Sequence, residues 1–272
     1  IGLGIPAEPL FRSRDKEIGE VVPVDVVVIT TESGLIKKVP VSAFKVQKKG
    51  GKGVKSVDDV IFDVVKTNTV DYIMFFSNKG KSDRTIVDNI PDGTNTSKGV
   101  PIASLVKMEN DEKIIAITSL HRKTLPKYIF FLTKNGIIKK SYLEEYTKTN
   151  KNAGIAALKV AEGDSVVKIL FQDDEDIIIV TKDGMNIRFT TNTITPIGRV
   201  AMGVKGIKLA EGDYVVAAMS VHKETDQVAI FTSTGIGKKV ALKEFMAQAR
   251  GGQGTIIYKS GDANGTVVGA AM

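Results

Sequence analysis

One pattern recurs five times along the 272-residue chain: a short apolar run, a polar turn ending in glycine, then a second run that is polar or basic. Two clear copies are Tyr128-Ile129-Phe130-Phe131-Leu132 leading to Gly136-Ile137-Ile138-Lys139-Lys140, and Val228-Ala229-Ile230-Phe231-Thr232 leading to Gly235-Ile236-Gly237-Lys238-Lys239. The turn glycines Gly34, Gly80, Gly136, Gly184 and Gly235 fall 46 to 56 residues apart. Each copy reads as a β-hairpin. Its first arm is β-branched and aromatic, which suits a pleated, buried surface. The turns Thr133-Lys134-Asn135-Gly136 and Thr181-Lys182-Asp183-Gly184 put glycine where positive φ is wanted, the mark of a short hairpin loop with a bulge.

Two more elements share the period. An acidic turn and a short strand precede the hairpin, as in Glu162-Gly163-Asp164-Ser165-Val166-Val167 and Glu211-Gly212-Asp213-Tyr214-Val215-Val216. A glycine-containing, usually basic loop and a short apolar strand follow it, as in Lys205-Gly206-Ile207-Lys208-Leu209. Residues 262–272 copy the upstream element, so the sequence predicts five full units of about 50 residues and the start of a sixth. The fold class is all-β. Short strands at this period read as the blades of a propeller-like closed array, and closure removes the edges that invite aggregation. Short helices are expected only at 141–146 and 241–249. A helical repeat is excluded because the apolar runs do not follow a 3.6-residue period. A β-sandwich with chance similarity would not reproduce five hairpins together with their upstream element.

The chain carries 38 Lys and Arg against 31 Asp and Glu, a net charge of +7. An excess of this size favours a polyanion, either nucleic acid or an acidic membrane surface. No apolar run approaches the roughly 20 residues of a membrane helix, no signal peptide is expected at 1–24, and no membrane contact is predicted. Placement says more than the total. The basic residues recur on the second hairpin arm (Lys37, Lys38, Lys139, Lys140, Arg188, Lys238 and Lys239) and in the loop that follows (Lys48, Lys49, Lys52, Lys98, Lys151, Arg199, Lys205 and Arg250). In a closed array a charge repeated in every unit becomes a belt, and a belt can follow a curved phosphate backbone.

The densest stretch, 45–55, holds five lysines and no acid. Its glycines let the backbone approach closely and offer N–H donors, while the lysines supply charge. The GxxxxGK[ST] spacing of a P-loop is absent. Within it, Gln47-Lys48-Lys49-Gly50-Gly51-Lys52-Gly53 resembles the heptapeptide box of the DNA gyrase A C-terminal domain, usually Gln-Arg-Arg-Gly-Gly-Lys-Gly. Lysine stands for arginine at 48 and 49, which keeps the charge and loses bidentate phosphate geometry. Gln248-Ala249-Arg250-Gly251-Gly252-Gln253-Gly254 is a degenerate echo. The resemblance covers 20–272, taken as one DNA-binding domain; residues 1–19 form a lead-in of no assigned role.

That resemblance implies a six-bladed β-pinwheel in which neighbouring blades exchange strands, with the sixth blade incomplete in this chain. It implies double-stranded DNA wrapped without sequence preference, and with one handedness, around the basic perimeter. The wrap would support negative supercoiling by an ATP-dependent type II topoisomerase. The implied partners are the rest of the gyrase A protein and the ATPase component of the holoenzyme, gyrase B, in the bacterial cytoplasm at the nucleoid.

No catalytic, cofactor or metal site is expected. The chain has no cysteine, which excludes disulfides, thiolate zinc sites and cysteine nucleophiles and suits a reducing compartment. Its six tyrosines lack the neighbouring arginine of a topoisomerase nucleophile. His121 and His222 lack metal-ligand spacing, and the pairs Asp58-Asp59 and Asp173-Asp174 read as solvated turn acids. Two other readings compete: the equivalent domain of topoisomerase IV, which has a degraded box and fewer blades, and a propeller scaffold for protein partners, which would use a face and have no basic rim.

Overall fold

The computed structural model describes residues 21–44, 59–120, 125–147, 154–223 and 227–272. All five hairpins form: β1 (Asp25–Thr31) with β2 (Leu35–Pro40), β4 (Tyr72–Ser77) with β5 (Lys81–Ile86), β8 (Tyr128–Thr133) with β9 (Ile137–Tyr142), β12 (Asp176–Thr181) with β13 (Met185–Thr190), and β16 (Gln227–Thr232) with β17 (Gly237–Ala241). The turns share one chemistry. Each turn glycine has φ between +73° and +83°. In four of them a threonine hydroxyl at the end of the first arm accepts the N–H four residues on, as Thr133 does from Ile137 at 3.1 Å and Thr181 from Met185 at 3.2 Å. Ser77 takes the same part toward Lys81 at 3.3 Å. A short side chain that can bond the local backbone is what this position requires.

The upstream element does not belong to the hairpin it precedes. It supplies β3 (Ile61–Asn68), β7 (Ile114–Ser119), β11 (Val166–Gln172), β15 (Val215–Ser220) and β19 (Val267–Ala271), and each pairs antiparallel with the first arm of the preceding hairpin. The acid of that element caps the earlier turn: the Asp164 carboxylate accepts from Asn135 N–H at 3.0 Å, and Asp213 from Asp183 N–H at 3.0 Å. The basic loop is followed by a two-residue strand, and this too goes backwards. β6 (Val100–Pro101), β10 (Ile155–Ala156), β14 (Val204–Lys205) and β18 (Thr255–Ile256) each pass over the hairpin they follow and join the second arm of the hairpin one unit further back. The sheets are therefore β3-β1-β2-β6, β10-β5-β4-β7, β11-β8-β9-β14, β15-β12-β13-β18 and β17-β16-β19.

The count of blades among the described residues is five, one fewer than expected. Residues 262–272, expected to begin a sixth unit, hold the strand that extends the fifth sheet through β16–β19 pairing. The expected short helices shrink to α1 (Glu144–Thr147) and a 3-10 turn at Leu242–Glu244.

Two compact units divide the chain: one up to Tyr72 with Ile86–Val100, the other Ile73–Thr85 with Pro101–Met272. Within the second unit β12 explains why the first arms are apolar at every position. Ile177 and Ile179 pack into a core with Phe130, Ile138 and Ile207, whereas Ile178 and Val180 pack on the other side with Val228, Ile230 and Leu242. A strand covered on both faces reads as a continuous apolar run, without the alternation of a one-sided sheet.

Candidate nucleic-acid interface

Most second-arm cations point into protein. Lys37, Lys38, Lys139 and Lys140 are at most 5% exposed, and Arg188 is 9% exposed. The expectation that these five form part of an exposed belt does not hold. The reason lies in strand exchange: the loop ahead of each returning strand crosses the second arm and covers it. That loop brings backbone carbonyls, and a buried carbonyl needs a donor.

The third and fourth residues after the turn glycine supply it. Lys37 Nζ donates to the carbonyls of Thr94, Asn95 and Ser97 at 2.8, 3.0 and 2.7 Å. Lys38 Nζ donates to the carbonyls of Asp88, at 2.9 Å, and Ile90, and lies 3.5 Å from the Asp92 carboxylate. Lys139 Nζ donates to the carbonyls of Ala157 at 2.7 Å and Arg199 at 2.6 Å, and to the Tyr146 hydroxyl at 3.3 Å. Lys140 pairs with Asp174 and sits 4.0 Å above the Tyr128 ring. Arg188 Nε donates to Asp176 at 2.8 Å. Burial pushes Lys37 below the usual lysine range and brings Lys139 down to about 8. It also raises the Tyr146 hydroxyl. Desolvation disfavours the charged form in each case.

The fifth sheet differs. Among the described residues no strand lies beyond β17, and the equivalent Lys238 and Lys239 are exposed. The loop positions also reach the surface: Lys98 and Lys205 are exposed, and Arg199 and Arg250 are half-buried. Neighbouring loops touch, since Arg250 donates to the Lys205 carbonyl and Gly251 N–H to the Gly206 carbonyl at 2.8 Å. The box at Gln47, Lys48, Lys49, Gly50, Gly51, Lys52 and Gly53 lies outside the described residues, as do Lys151 and His121.

Sequence reasoning missed one arrangement. Lys134 and Lys182 occupy the same place in their turns, and their ammonium groups lie 4.6 and 5.3 Å from the centre of the Tyr214 ring. The signal was the repeated Thr-Lys-Asn/Asp-Gly, read for its glycine and not for its lysine. Among the described residues no group of three or more His, Asp or Glu is placed to hold a metal ion, and no helix is long and apolar enough to cross a membrane.

Known proteins share this architecture. A family model described as "DNA gyrase C-terminal domain, beta-propeller" matches residues 25–66, 71–120, 127–173, 175–222 and 226–272. The DNA gyrase A protein of Staphylococcus epidermidis is 36% identical over 265 residues, covering 94% of this chain and 29% of that protein. The chain thus spans under a third of the length of the curated relatives it matches. Among solved structures, the C-terminal domain of DNA topoisomerase IV superposes with a TM-score of 0.79 at 28% identity, covering 92% of this chain and 78% of the other. The DNA gyrase A C-terminal domain gives 0.69 at 30% identity, covering 91% and 82%.

Proposed function

Since the chain belongs to the DNA gyrase C-terminal domain family, we propose that it binds double-stranded DNA through its surface loops and bends it chirally, without catalysing a reaction itself. Lys98, Arg199, Lys205, Lys238, Lys239 and Arg250 supply the contacts, together with the box at 47–53. Lys37, Lys38, Lys139, Lys140 and Arg188 serve from beneath, by fixing the loops. The observation that carries this reading is the returning loop: it recurs in successive sheets, and its cations reach the surface while Lys37, Lys38 and Lys139 beneath it donate to its carbonyls.

Bending 20–30 base pairs by 40–90° costs on the order of 1–6 kcal/mol, and a fuller wrap about 10. No single loop offsets that; roughly ten phosphate contacts spread over an arc do. In the full-length protein the bent segment would be presented for strand passage, with the remainder of the gyrase A protein and gyrase B as partners in the bacterial cytoplasm.

The test is topological. A nicked circle is bound, ligated and analysed for linking number. A shift of one consistent sign supports chiral wrapping. Binding without any shift refutes it. The likeness to the topoisomerase IV domain favours a second reading, the equivalent domain of that enzyme. The near-intact Gln47–Gly53 box favours the gyrase reading, and the same assay separates the two.

A further inference from the structure

We propose that Lys139 is a positioning residue: its buried ammonium clasps the two crossings of strand exchange and so fixes where Arg199 and Lys205 stand. The Ala157 carbonyl lies just after β10, the strand that leaves for the preceding sheet. The Arg199 carbonyl lies just before β14, the strand that arrives from the following unit. One side chain therefore holds an outgoing and an incoming crossing at 2.7 and 2.6 Å. The third contact, the Tyr146 hydroxyl, accepts from Lys139 and donates to the same Ala157 carbonyl at 3.0 Å. The Phe131 ring closes the cage, its centroid 5.4 Å from the ammonium. No carboxylate of the described residues lies within ion-pair distance of it. The cation is held by carbonyl dipoles and aromatic faces, so the geometry of the crossings and the place of the charge are fixed together.

The incoming half of this device occurs independently in the first compact unit. Lys37 stands at the same place in its arm, three residues after the turn glycine, and gathers three carbonyls of the loop that ends in Lys98. The two remaining sheets with a returning strand lack it: Asp83 and Ile187 occupy the position. From Lys139 the ordering passes outward. The Arg199 loop leads into β14, and the Arg250 loop rests on the Lys205 and Gly206 carbonyls.

The inference rests on the DNA-binding reading for its consequence, though not for its geometry. Lys139→Met in the whole chain removes the charge and keeps the bulk. Amide exchange at Gly206 and Ile207, whose N–H groups donate to the Gly136 carbonyl, should rise at least tenfold while exchange at Ile230 in the fifth sheet stays the same. DNA affinity should fall about tenfold, the cost of ordering two long side chains on binding. The slope of log K against log salt should not change, because no phosphate contact is lost. Lys205→Ala should instead make that slope shallower by about 0.9. A slope change in Lys139→Met equal to that of Lys205→Ala, or unchanged exchange at Gly206 and Ile207, overturns the proposal. Should Lys139→Met fail to fold, Tyr146→Phe removes only the shared hydroxyl; exchange at Gly206 and Ile207 equal to wild type then overturns it. A flat salt slope in the wild-type protein would defeat the DNA-binding reading alone, and the exchange measurement would still decide the clasp.

Discussion

Alanine at Gly184 and at Gly235 should have very different costs, although the two backbones are alike. Both glycines close a hairpin turn, with φ of +83° and +79°. A side chain in the left-handed region costs roughly 1–2 kcal/mol, and reduced freedom of the unfolded chain returns about 0.4–1 of it. Gly235→Ala should therefore lose no more than about 1.6 kcal/mol, since nothing lies within 4 Å of its added Cβ. At Gly184 the added Cβ would sit 2.0 Å from the Tyr258 carbonyl oxygen, where the chain beyond β18 crosses the turn. Relief requires that backbone to move, and with it two hydrogen bonds to the Gly184 carbonyl, from Ile257 N–H at 2.9 Å and Tyr258 N–H at 3.2 Å. Each is worth about 1 kcal/mol net. The partly buried Ile257 and Tyr258 also lose packing against the core between the fourth and fifth sheets. The total for Gly184→Ala comes to about 3–4 kcal/mol. Urea midpoints at constant m measure both variants. Equal losses, within about 0.5 kcal/mol, would mean that the crossing adds no constraint and that the strand-exchange account of this turn is wrong.

Other consequences follow from the same contacts. Lys139 loses its proton near pH 8 in the folded chain and near 10.5 in the unfolded one. Between these values the unfolded chain binds more protons, so stability rises with pH; relative to Lys139→Met, the wild type should gain up to about 3 kcal/mol from pH 7 to 10.5. A gap independent of pH would show that the ammonium is not desolvated. Replacing Lys48, Lys49 and Lys52 with Ala should reduce the linking-number shift more than the DNA affinity, and no change in either would remove the box from the mechanism. Lys238→Ala with Lys239→Ala should weaken DNA binding and flatten the salt slope by up to about 1.8 without lowering the melting temperature; a large melting shift would mean that these lysines are packed as Lys37 and Lys139 are. Asp213→Ala removes the cap on Asp183 N–H and should cost about 1 kcal/mol by thermal unfolding, with a neutral result assigning the turn to Gly184 and Thr181 alone.

The hairpins, their turn glycines and the repeat were legible in the sequence because each is a local matter of β-propensity and turn chemistry. The unit frame was not. Glu162-Gly163-Asp164 precedes the β12–β13 hairpin in sequence, yet the Asp164 carboxylate caps Asn135 in the turn before it, and no local rule says which hairpin a strand will join. The same gap misplaced the lysines. Lys139 and Lys238 both stand three residues after the turn glycine and ahead of a second lysine; one is buried and the other exposed because a returning strand reaches the third sheet and, among the described residues, none reaches the fifth. Cation burial here is a property of a partner about 60 residues away, as the separations of Lys37 from Ser97 and of Lys139 from Arg199 show.

Backward strand donation also sets a schedule for synthesis. The third sheet has its hairpin once Tyr142 is made, but its last strand ends at Lys205, 63 residues later. At about 5–20 residues per second that is a wait of roughly 3–13 s. Through that interval β9 has an open edge, and Lys139 lacks the Arg199 carbonyl that will hold it. A nascent chain of this design is always one strand short at its newest sheet, so a pause in translation between two repeats prolongs the exposure of a sticky edge, whereas a pause just after a returning strand leaves the earlier sheet sealed.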